Sequence, residues 1–197
     1  METAAKAVWR ERFSTARAGL DPAQHQAEAQ ALARTVRDLA PSAIAGLGAV
    51  CAYIPSGDEP GDTALLDGLR AAGTRVYLPL VSAGAPAPLR WGEYHNRAGL
   101  VRGRFGLLCP AGPGEPPETL ARAHTVLIPA LAVDRRGVRL GRGAGYYDRS
   151  LDFADPRARL VAIVRDNELV ERLPEDAHDR RVSWAATPGQ GLVELGR

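Results

Sequence analysis

Three glycines alternate with other residues in the segment LGRGAGYYDRSL, which covers residues 140–151. Glycine loses more backbone entropy on folding than any other residue, so this cluster indicates a sharp turn or a close approach to a ligand. Backbone N–H groups of such a loop can bind phosphate oxygens, and Arg139 and Arg142 can add charge-assisted hydrogen bonds to the same oxygens. The carboxylate of Asp148, which follows, is a hard oxygen ligand suited to Mg2+ bridging such phosphates. These residue types predict a phosphate site with a metal beside it.

A glycine cluster alone also has a simpler interpretation, as a tight turn with solvated arginines and core tyrosines. Short motifs of this length match often by chance. The spacing excludes two familiar nucleotide loops, because GRGAGY is G-x-G-x-G rather than G-x-G-x-x-G, and the sequence has no GxxxxGK[ST]. On these residues alone, the phosphate site and the simple turn both stay open.

The glycine segment lies between a predicted strand and a predicted helix in an alternating α/β pattern. Helices are expected over 3–18, from the N-cap Asp21 to about Leu39, after Asp62 or Thr63 up to Gly73, and over 146–154. Strands are expected over 47–55, 74–81, 89–94 near a sheet edge, 124–133, 159–165 and 182–187, the last of the chain. Four prolines predict an irregular loop over 109–118.

The strand–helix–strand order predicts a right-handed crossover and parallel pairing. We therefore expect a three-layer α/β/α sandwich with a mostly parallel central sheet, formed as one domain over residues 1–197. Ligands of such folds bind beyond the carboxyl ends of the strands, which is where the glycine segment is expected.

Composition excludes several classes of function. The 25 basic and 23 acidic residues give a net charge of +2, too balanced to argue for nucleic acid or an anionic membrane as partner. The two cysteines form no CxxC, which favours a reducing compartment without disulfides or zinc. The charged start METAAKAVWRERF is unlike a signal peptide, and VLIPALAV is too short to span a bilayer. We expect a cytoplasmic monomer that binds small molecules.

The wider segment IPALAVDRRGVRLGRGAGYYDRSL, residues 128–151, resembles the signature of the 5-formyltetrahydrofolate cyclo-ligase family, also called 5,10-methenyltetrahydrofolate synthetases. The matching positions are Pro129, Asp134, Gly137, Arg139, Leu140, Gly141, Gly143, Gly145, Tyr146, Tyr147 and Asp148. The resemblance extends to the first helix, with Lys6 and Arg10, and to a loop with Ile54 and Glu59. It also covers FGLLCP (105–110) and the closing segment 173–188.

The resemblance implies an ATP- and Mg2+-dependent ring closure, in which 5-formyltetrahydrofolate and ATP give 5,10-methenyltetrahydrofolate, ADP and phosphate. Arg142 and Tyr146 are the implied catalytic residues, and Asp148 is the implied Mg2+ ligand. The implied ATP contacts are Lys6, Arg10, Arg139, Leu140, Gly141, Arg142, Gly143, Ala144, Gly145, Tyr146 and Tyr147. The implied folate contacts are Ile54, Glu59, Arg142, Gly143, Ala144, Gly145 and Tyr146.

Some residues depart from the family pattern. Val133 replaces an aromatic residue, Cys109 stands where many members have glutamate, and Pro60–Gly61 adds a residue after Glu59. Ser183 stands where the family often has an aspartate implicated in metal coordination. A hydroxyl is a weaker Mg2+ ligand than a carboxylate, so Asp148 and phosphate oxygens are expected to carry most of the coordination.

Two further interpretations concern residues outside the signature, and one alternative concerns the function. His178 and Asp179 are expected to fix the last loop rather than to act as an acid–base pair. Trp91 could line the folate pocket, although a place in the core is favoured. The alternative to an active cyclo-ligase is a catalytically inactive, nucleotide-binding relative.

Overall fold

A computed structural model describes residues 4–37, 39, 48–177 and 179–196. The helices of these residues are α1 (Ala4–Ala18), α2 (Pro22–Arg37), α3 (Ala64–Ala71) and α4 (Tyr146–Ser150). The strands are β1 (Ala49–Cys51), β2 (Arg75–Leu80), β3 (Arg90–Glu93), β4 (Leu100–Arg102), β5 (Leu108–Pro110), β6 (Ala123–Pro129), β7 (Ala132–Asp134), β8 (Arg139–Leu140), β9 (Arg159–Ile163), β10 (Leu169–Val170), β11 (Trp184–Thr187) and β12 (Gly191–Glu194). None of the described helices is both long and apolar enough to cross a membrane.

A seven-stranded sheet forms the centre of the described fold, in the order β12-β11-β9-β6-β1-β2-β3. The five inner strands pair in parallel, and only β3 and β12 at the two edges run antiparallel to their neighbours. The mostly parallel sheet is therefore confirmed, as is the edge position of the strand within residues 89–94. The first strand is shorter than the predicted 47–55, of which residue 47 lies outside the described residues.

Helices cover the two faces of the sheet unequally. On one face α2 and α3 pack together, and the buried side chains of α2 follow a helical spacing at Ala29, Leu32 and Val36. On the other face the cover consists largely of short 3-10 helices, whose Leu120 and Leu151 enter the core. The predicted α/β/α layering is confirmed, with one layer thinner than the sequence suggested.

The predicted strand over 124–133 is divided between two sheets. β6 ends at Pro129, and the chain then leaves the central sheet to form β7 in a small sheet of order β10-β7-β8. Every residue of β6 before Pro129 is buried because the strand has neighbours on both sides and cover on both faces. A continuous apolar run cannot reveal such a break, since buried strands of both sheets have the same composition.

Two other expectations about the second half are wrong in detail. β12 follows the segment that was predicted to be the last strand, and it closes the sheet by antiparallel pairing with β11. The 109–118 segment is not wholly irregular, because Cys109 and Pro110 belong to β5 and Pro117 begins a 3-10 helix. Proline is tolerated at both places, in a two-stranded ribbon and at the first position of a helix.

Helix α1 packs outside the central sheet, against the small sheet. Phe13 joins a core cluster with Leu131 and Leu140, whereas the same helix buries two charged residues, Lys6 and Arg17. Buried charges need partners, so this face of α1 meets polar groups of the protein rather than core alone. The loops after β1 and β6 reach the same region, and a cleft lies between them and α1.

Candidate active site

A cleft of about 1130 Å³ opens beyond the carboxyl ends of β1 and β6. It is bounded by α1, by the loop after β1 and by the glycine segment between β8 and α4. All residues proposed from the sequence for ATP, folate and magnesium line it: Lys6, Arg10, Ile54, Glu59, Arg139, Leu140, Gly141, Arg142, Gly143, Ala144, Gly145, Tyr146, Tyr147 and Asp148. Segments far apart in the sequence thus form one concave surface.

The first half of the signature builds a turn rather than a binding surface. The Asp134 carboxylate is fully buried and accepts backbone N–H bonds from Arg136, Val138 and Leu173. At Gly137 the φ angle is +87°, and a Cβ there would collide with the carbonyl oxygen of Val182. This turn leads the chain back along β7 into β8 and so fixes the start of the glycine segment.

The glycine segment itself needs glycine for backbone geometry. Gly143 and Gly145 have φ angles of +100° and +70°, in the left-handed region that side chains disfavour. The helix that begins after Gly145 is only five residues long. Its dipole is correspondingly small, so the expected anion would depend on the loop N–H groups and the neighbouring arginines.

Arg10 connects α1 to the glycine segment. Its Nε donates to the carbonyl oxygen of Gly141 at 2.8 Å. A Cβ added at Gly143 would lie 3.5 Å from the Arg10 guanidinium carbon, which shows how closely the helix and the loop approach. The positive charge of Arg10 is therefore held beside the backbone that is expected to surround phosphate.

Lys6, one helical turn before Arg10 on α1, is held by two carboxylates that also line the cleft. Its Nζ lies 2.8 Å from Asp176 Oδ2 and 2.5 Å from Asp179 Oδ2, and its side chain is only 7% exposed. Burial lowers the pKa of Lys6, but the hydrogen bonds and charges of the two aspartates outweigh it, so the pKa is raised. Lys6 therefore stays protonated throughout the physiological range.

Asp148 forms an ion pair with Arg139 inside the signature. Arg139 Nη2 donates to Asp148 Oδ1 at 2.6 Å, and the guanidinium lies over the ring of Tyr147, 6.0 Å from its centroid. Arg139 is buried, whereas Asp148 is partly exposed to the cleft. One oxygen of the expected metal ligand is thus oriented by a buried arginine.

The loop after β1 presents its acidic residues to the glycine segment. Arg142 Nη2 donates to Asp58 Oδ1 at 2.6 Å, and Arg142 Nε lies 3.6 Å from Glu59 Oε1. The other oxygen of Glu59 accepts bonds from the backbone N–H and the hydroxyl of Ser56, at 2.9 and 3.1 Å. The Glu59 carboxylate is therefore oriented from within its own loop, despite the additional residue at Pro60–Gly61.

Two buried phenols beside these residues have no hydrogen-bond partner among the described residues. They belong to Tyr53 and Tyr147, and both side chains line the cleft. Burial, together with the nearby Glu59 charge, raises the pKa of each phenol well above its usual value. Both hydroxyls therefore stay protonated. Tyr53 was missed because a tyrosine at the end of a strand has no distinctive sequence signal.

A hairpin of β4 and β5 adds apolar residues that sequence reasoning also missed. Phe105, at its tip, is 67% exposed and has a positive φ of 58°, and it lines the cleft together with Leu107 and Leu108. The segment FGLLCP was recognised only as part of the family resemblance. The position of Phe105 over the cleft depends on the pairing of β4 with β5, and the six residues of this segment do not specify that pairing.

Ser183 and Trp91 lie outside this cleft. The Ser183 hydroxyl bonds to the backbone N–H and carbonyl of Leu160, at 3.1 and 3.3 Å, and so joins β11 to β9. Ser183 therefore lies away from the cleft in which the metal is expected. Trp91 is fully buried in the core beside the sheet edge, as the favoured interpretation held.

Of the expected pair of His178 and Asp179, His178 lies outside the described residues. Asp179 accepts the backbone N–H of Asp176 at 2.8 Å, as a loop-fixing role requires, but it also pairs with Lys6 and lines the cleft. The structure therefore adds Asp176 and Asp179 to the candidate site, and the sequence did not predict either of them there.

An α/β fold with a glycine-rich loop, basic side chains and oriented carboxylates around one cleft is that of an enzyme acting on small molecules. Comparison with known proteins narrows this class. The model of the 5-formyltetrahydrofolate cyclo-ligase family matches residues 2–188.

Individual relatives agree with that match. The 5-formyltetrahydrofolate cyclo-ligase of Mycolicibacterium smegmatis is 50% identical over 149 residues, covering 74% of this chain and 76% of the relative. The enzyme of that name from Escherichia coli K12 is 30% identical over 175 residues, covering 88% and 95%. The solved 5,10-methenyltetrahydrofolate synthetase of Aquifex aeolicus superposes with a TM-score of 0.73 at 26% identity, covering 98% of this chain and 93% of that one. The chain belongs to the 5-formyltetrahydrofolate cyclo-ligase family, a family of ligases, and the resemblance seen in its signature is confirmed.

Proposed function

We propose that this protein converts 5-formyltetrahydrofolate and ATP into 5,10-methenyltetrahydrofolate, ADP and phosphate, with Mg2+ as cofactor. The observation that carries the proposal is the convergence of the signature loop, the basic residues of α1 and the loop with Glu59 on one cleft. Family membership supports the same reaction.

The chemistry explains why such a cleft suits the reaction. A formamide carbonyl is a poor electrophile, because its nitrogen donates electron density into the carbonyl. Transfer of the γ-phosphoryl group to the formyl oxygen breaks the bond to ADP and leaves an iminium phosphate. N10 then attacks the formyl carbon and loses its proton, and phosphate departs. The protein's task is to position two substrates and to neutralise charge during phosphoryl transfer.

The basic residues and the loop backbone are assigned to ATP. Lys6 and Arg10 approach from α1, and the N–H groups of residues 141–145 surround the phosphates. Arg142 is assigned to the transferring phosphoryl group, since its side chain reaches from the glycine loop toward the opposite wall. Guanidinium groups suit this role because they form charge-assisted hydrogen bonds with phosphate oxygens.

The residues of the cleft fit a Mg2+ ion that is bound together with phosphates. Carboxylate oxygens are the ligands that Mg2+ prefers, and Asp148 presents one at the end of the glycine segment. Within the described residues, no group of three or more His, Cys, Asp or Glu is placed to hold a metal alone. Phosphate and water oxygens must therefore complete the coordination, and Asp176 and Asp179 are the carboxylates that could add a second acidic oxygen. When bound, Mg2+ neutralises charge on the phosphates.

The folate is assigned to the wall formed by the loop after β1 and the hairpin. Glu59 is oriented to accept hydrogen bonds from the N–H edge of the pterin, and Ile54 and Tyr146 supply apolar and aromatic surface beside it. Phe105 offers further aromatic surface at the entrance of the cleft. Tyr146 is proposed as the catalytic neighbour of the formyl group, together with Arg142.

The decisive experiment follows the near-ultraviolet absorbance of the methenyl product with purified protein. We expect product only when 5-formyltetrahydrofolate, ATP and Mg2+ are all present, with one ADP released for each ring closed. ATP hydrolysis that is indifferent to folate would contradict the proposal. Nucleotide binding without product would identify an inactive relative. We also propose that the protein acts as a monomer in the cytoplasm, and light scattering of the purified protein checks the first point.

A further inference from the structure

The contact between Arg142 and Asp58 joins the two walls of the cleft. Arg142 belongs to the segment assigned to ATP, and Asp58 precedes Glu59 in the loop assigned to folate. The Arg142 guanidinium lies 2.6 Å from Asp58 and 3.6 Å from Glu59. The Arg142 guanidinium, which is expected to bind ATP, is thus paired with the loop that is expected to bind folate.

The acidic side of this contact is anchored to the interior of the protein. Arg165 Nη1 donates to the backbone carbonyl of Asp58 at 3.1 Å. The Arg165 guanidinium is buried, and its Nε donates to Glu28 Oε2 on α2 at 2.7 Å. Glu168 Oε1 lies 3.5 Å from Arg165 Nη1. Asp58 is therefore held from behind by a buried network.

The basic side of the contact is built to move more easily. The Arg142 side chain is 53% exposed, and its backbone lies between Gly141 and Gly143. Glycine restricts the neighbouring backbone less than any other residue. When the ion pair separates, Arg142 is therefore the partner that moves, and Asp58 and Glu59 stay in place.

We propose that Asp58 is a positioning residue that couples the two substrates, by holding Arg142 against Glu59 until the phosphates of ATP draw the guanidinium away. The inference rests on the proposed function, because it takes Arg142 as a phosphate contact and Glu59 as a folate contact. Once Arg142 has moved to phosphate, the Glu59 carboxylate is available to the pterin. Conversely, a pterin on Glu59 weakens the hold on Arg142. By thermodynamic linkage, each substrate then increases the affinity for the other by the same factor.

The solvent exposure of the Arg142–Asp58 ion pair limits how strongly it can change the affinity for a substrate. Exposed ion pairs stabilise by up to about 1 kcal/mol, which corresponds to a factor of about five in affinity. We expect Asp58→Asn to bind a nonhydrolysable ATP analogue with Mg2+ about two- to fivefold more tightly in calorimetry without folate. We expect 5-formyltetrahydrofolate to tighten analogue binding by a similar factor in the wild type, and to leave it nearly unchanged in Asp58→Asn.

Two variants separate positioning from a general effect of charge. Asp152→Asn removes the same charge from the same cleft, but Asp152 pairs with Arg180 instead of Arg142, so coupling should stay at the wild-type value. Asp58→Glu keeps the carboxylate and should restore coupling at least in part. Unchanged coupling in Asp58→Asn, or equal loss in Asp152→Asn, would overturn the role of Asp58.

The failure of this inference can be told apart from the failure of the proposed function. Turnover of the wild type with ATP, Mg2+ and 5-formyltetrahydrofolate is measured first. Absence of methenyl product overturns the reaction itself and, with it, the premise of the coupling. Product formation by a wild type whose two ligands bind independently overturns only the coupling by Asp58.

Discussion

At the scale of single residues, the charged groups of the cleft are arranged as pairs of opposite sign. Lys6 pairs with Asp176 and Asp179, Arg139 with Asp148, and Arg142 with Asp58. Such pairs keep several charges in a partly buried cleft without leaving any of these groups uncompensated. An anion or a cation that binds in the cleft must separate one of these ion pairs. Its net affinity therefore depends on how well the side chain that loses its partner is compensated.

The Asp148 carboxylate offers the sharpest test of the metal assignment. Asp148→Asn retains an oxygen that can accept from Arg139 but removes the negative charge. We expect turnover to fall by at least about 10- to 100-fold, since changes to the outer-shell partners of metal ligands alone have effects of that size, with partial recovery at raised Mg2+. The measurement is a Mg2+ titration of turnover, with the melting temperature as a check on folding.

The matched control for this test is Asp155→Asn, which removes a surface carboxylate paired with Arg157. It should leave the Mg2+ dependence unchanged. If Asp148→Asn also had normal turnover and normal Mg2+ dependence, Asp148 would be only a partner of Arg139, and phosphate binding would depend on the glycines and the basic residues.

At the scale of elements, docking of α1 decides whether the cleft has its basic wall. Arg17 lies near the end of α1 and forms a bidentate pair with Glu168, at 2.6 and 2.8 Å, while also donating to the carbonyl of Ala130 at 2.7 Å. Both side chains are almost fully buried. Because Lys6 and Arg10 lie on the same helix, this buried pair also holds them in position.

Arg17→Met should destabilise the protein strongly, because it leaves the buried Glu168 carboxylate without its bidentate partner. Breaking such a pair costs about 3–5 kcal/mol. Adding Glu168→Gln removes the charge left behind, so the double variant should lose less stability than the sum of the two single variants. Urea denaturation of the four proteins measures the coupling, and strictly additive losses would show that the pair does not hold α1.

At the scale of the whole molecule, the cleft exists only because the sheet brings remote segments together. Its walls come from the first helix, the loop after β1, the β4–β5 hairpin, the glycine segment and the loop with Asp179. The loop after β1 leaves the central sheet at the carboxyl end of its strand, and β6 leads at the same end into the small sheet that carries the glycine segment. The global stability of the sheet is therefore a condition for the site.

Global stability should decrease below neutral pH, in part through the buried His124 at the start of β6. Burial and the nearby Arg159 lower the pKa of its ring in the folded protein. An unfolded histidine titrates near 6.5, so its stabilising contribution is present above about pH 6.5 and is lost as the pH falls through that value toward the folded pKa. One such group changes the unfolding free energy by at most about 1.4 kcal/mol per pH unit.

Urea denaturation between pH 5 and 8 tests this contribution by comparing variants. We expect His124→Gln to have a flatter pH profile than the wild type. His95→Gln, at an exposed position, should reproduce the wild-type slope. Equal slopes in all three proteins would mean that the ring of His124 does not titrate differently on folding.

The sequence alone determined the family, the alternating α/β order and the glycine segment with its neighbouring charges, because these depend on local patterns. Gly141, Gly143, Gly145 and Asp148 all lie within eight consecutive positions of the chain. Only the tertiary structure decided which charges meet: Lys6 and Asp179 are separated by 173 positions, and Arg142 and Asp58 by 84. It likewise placed Ser183 between two strands, away from the cleft. Side-chain pairing over such separations depends on which strand ends lie side by side, and strand order is set by packing of the whole core rather than by any short segment.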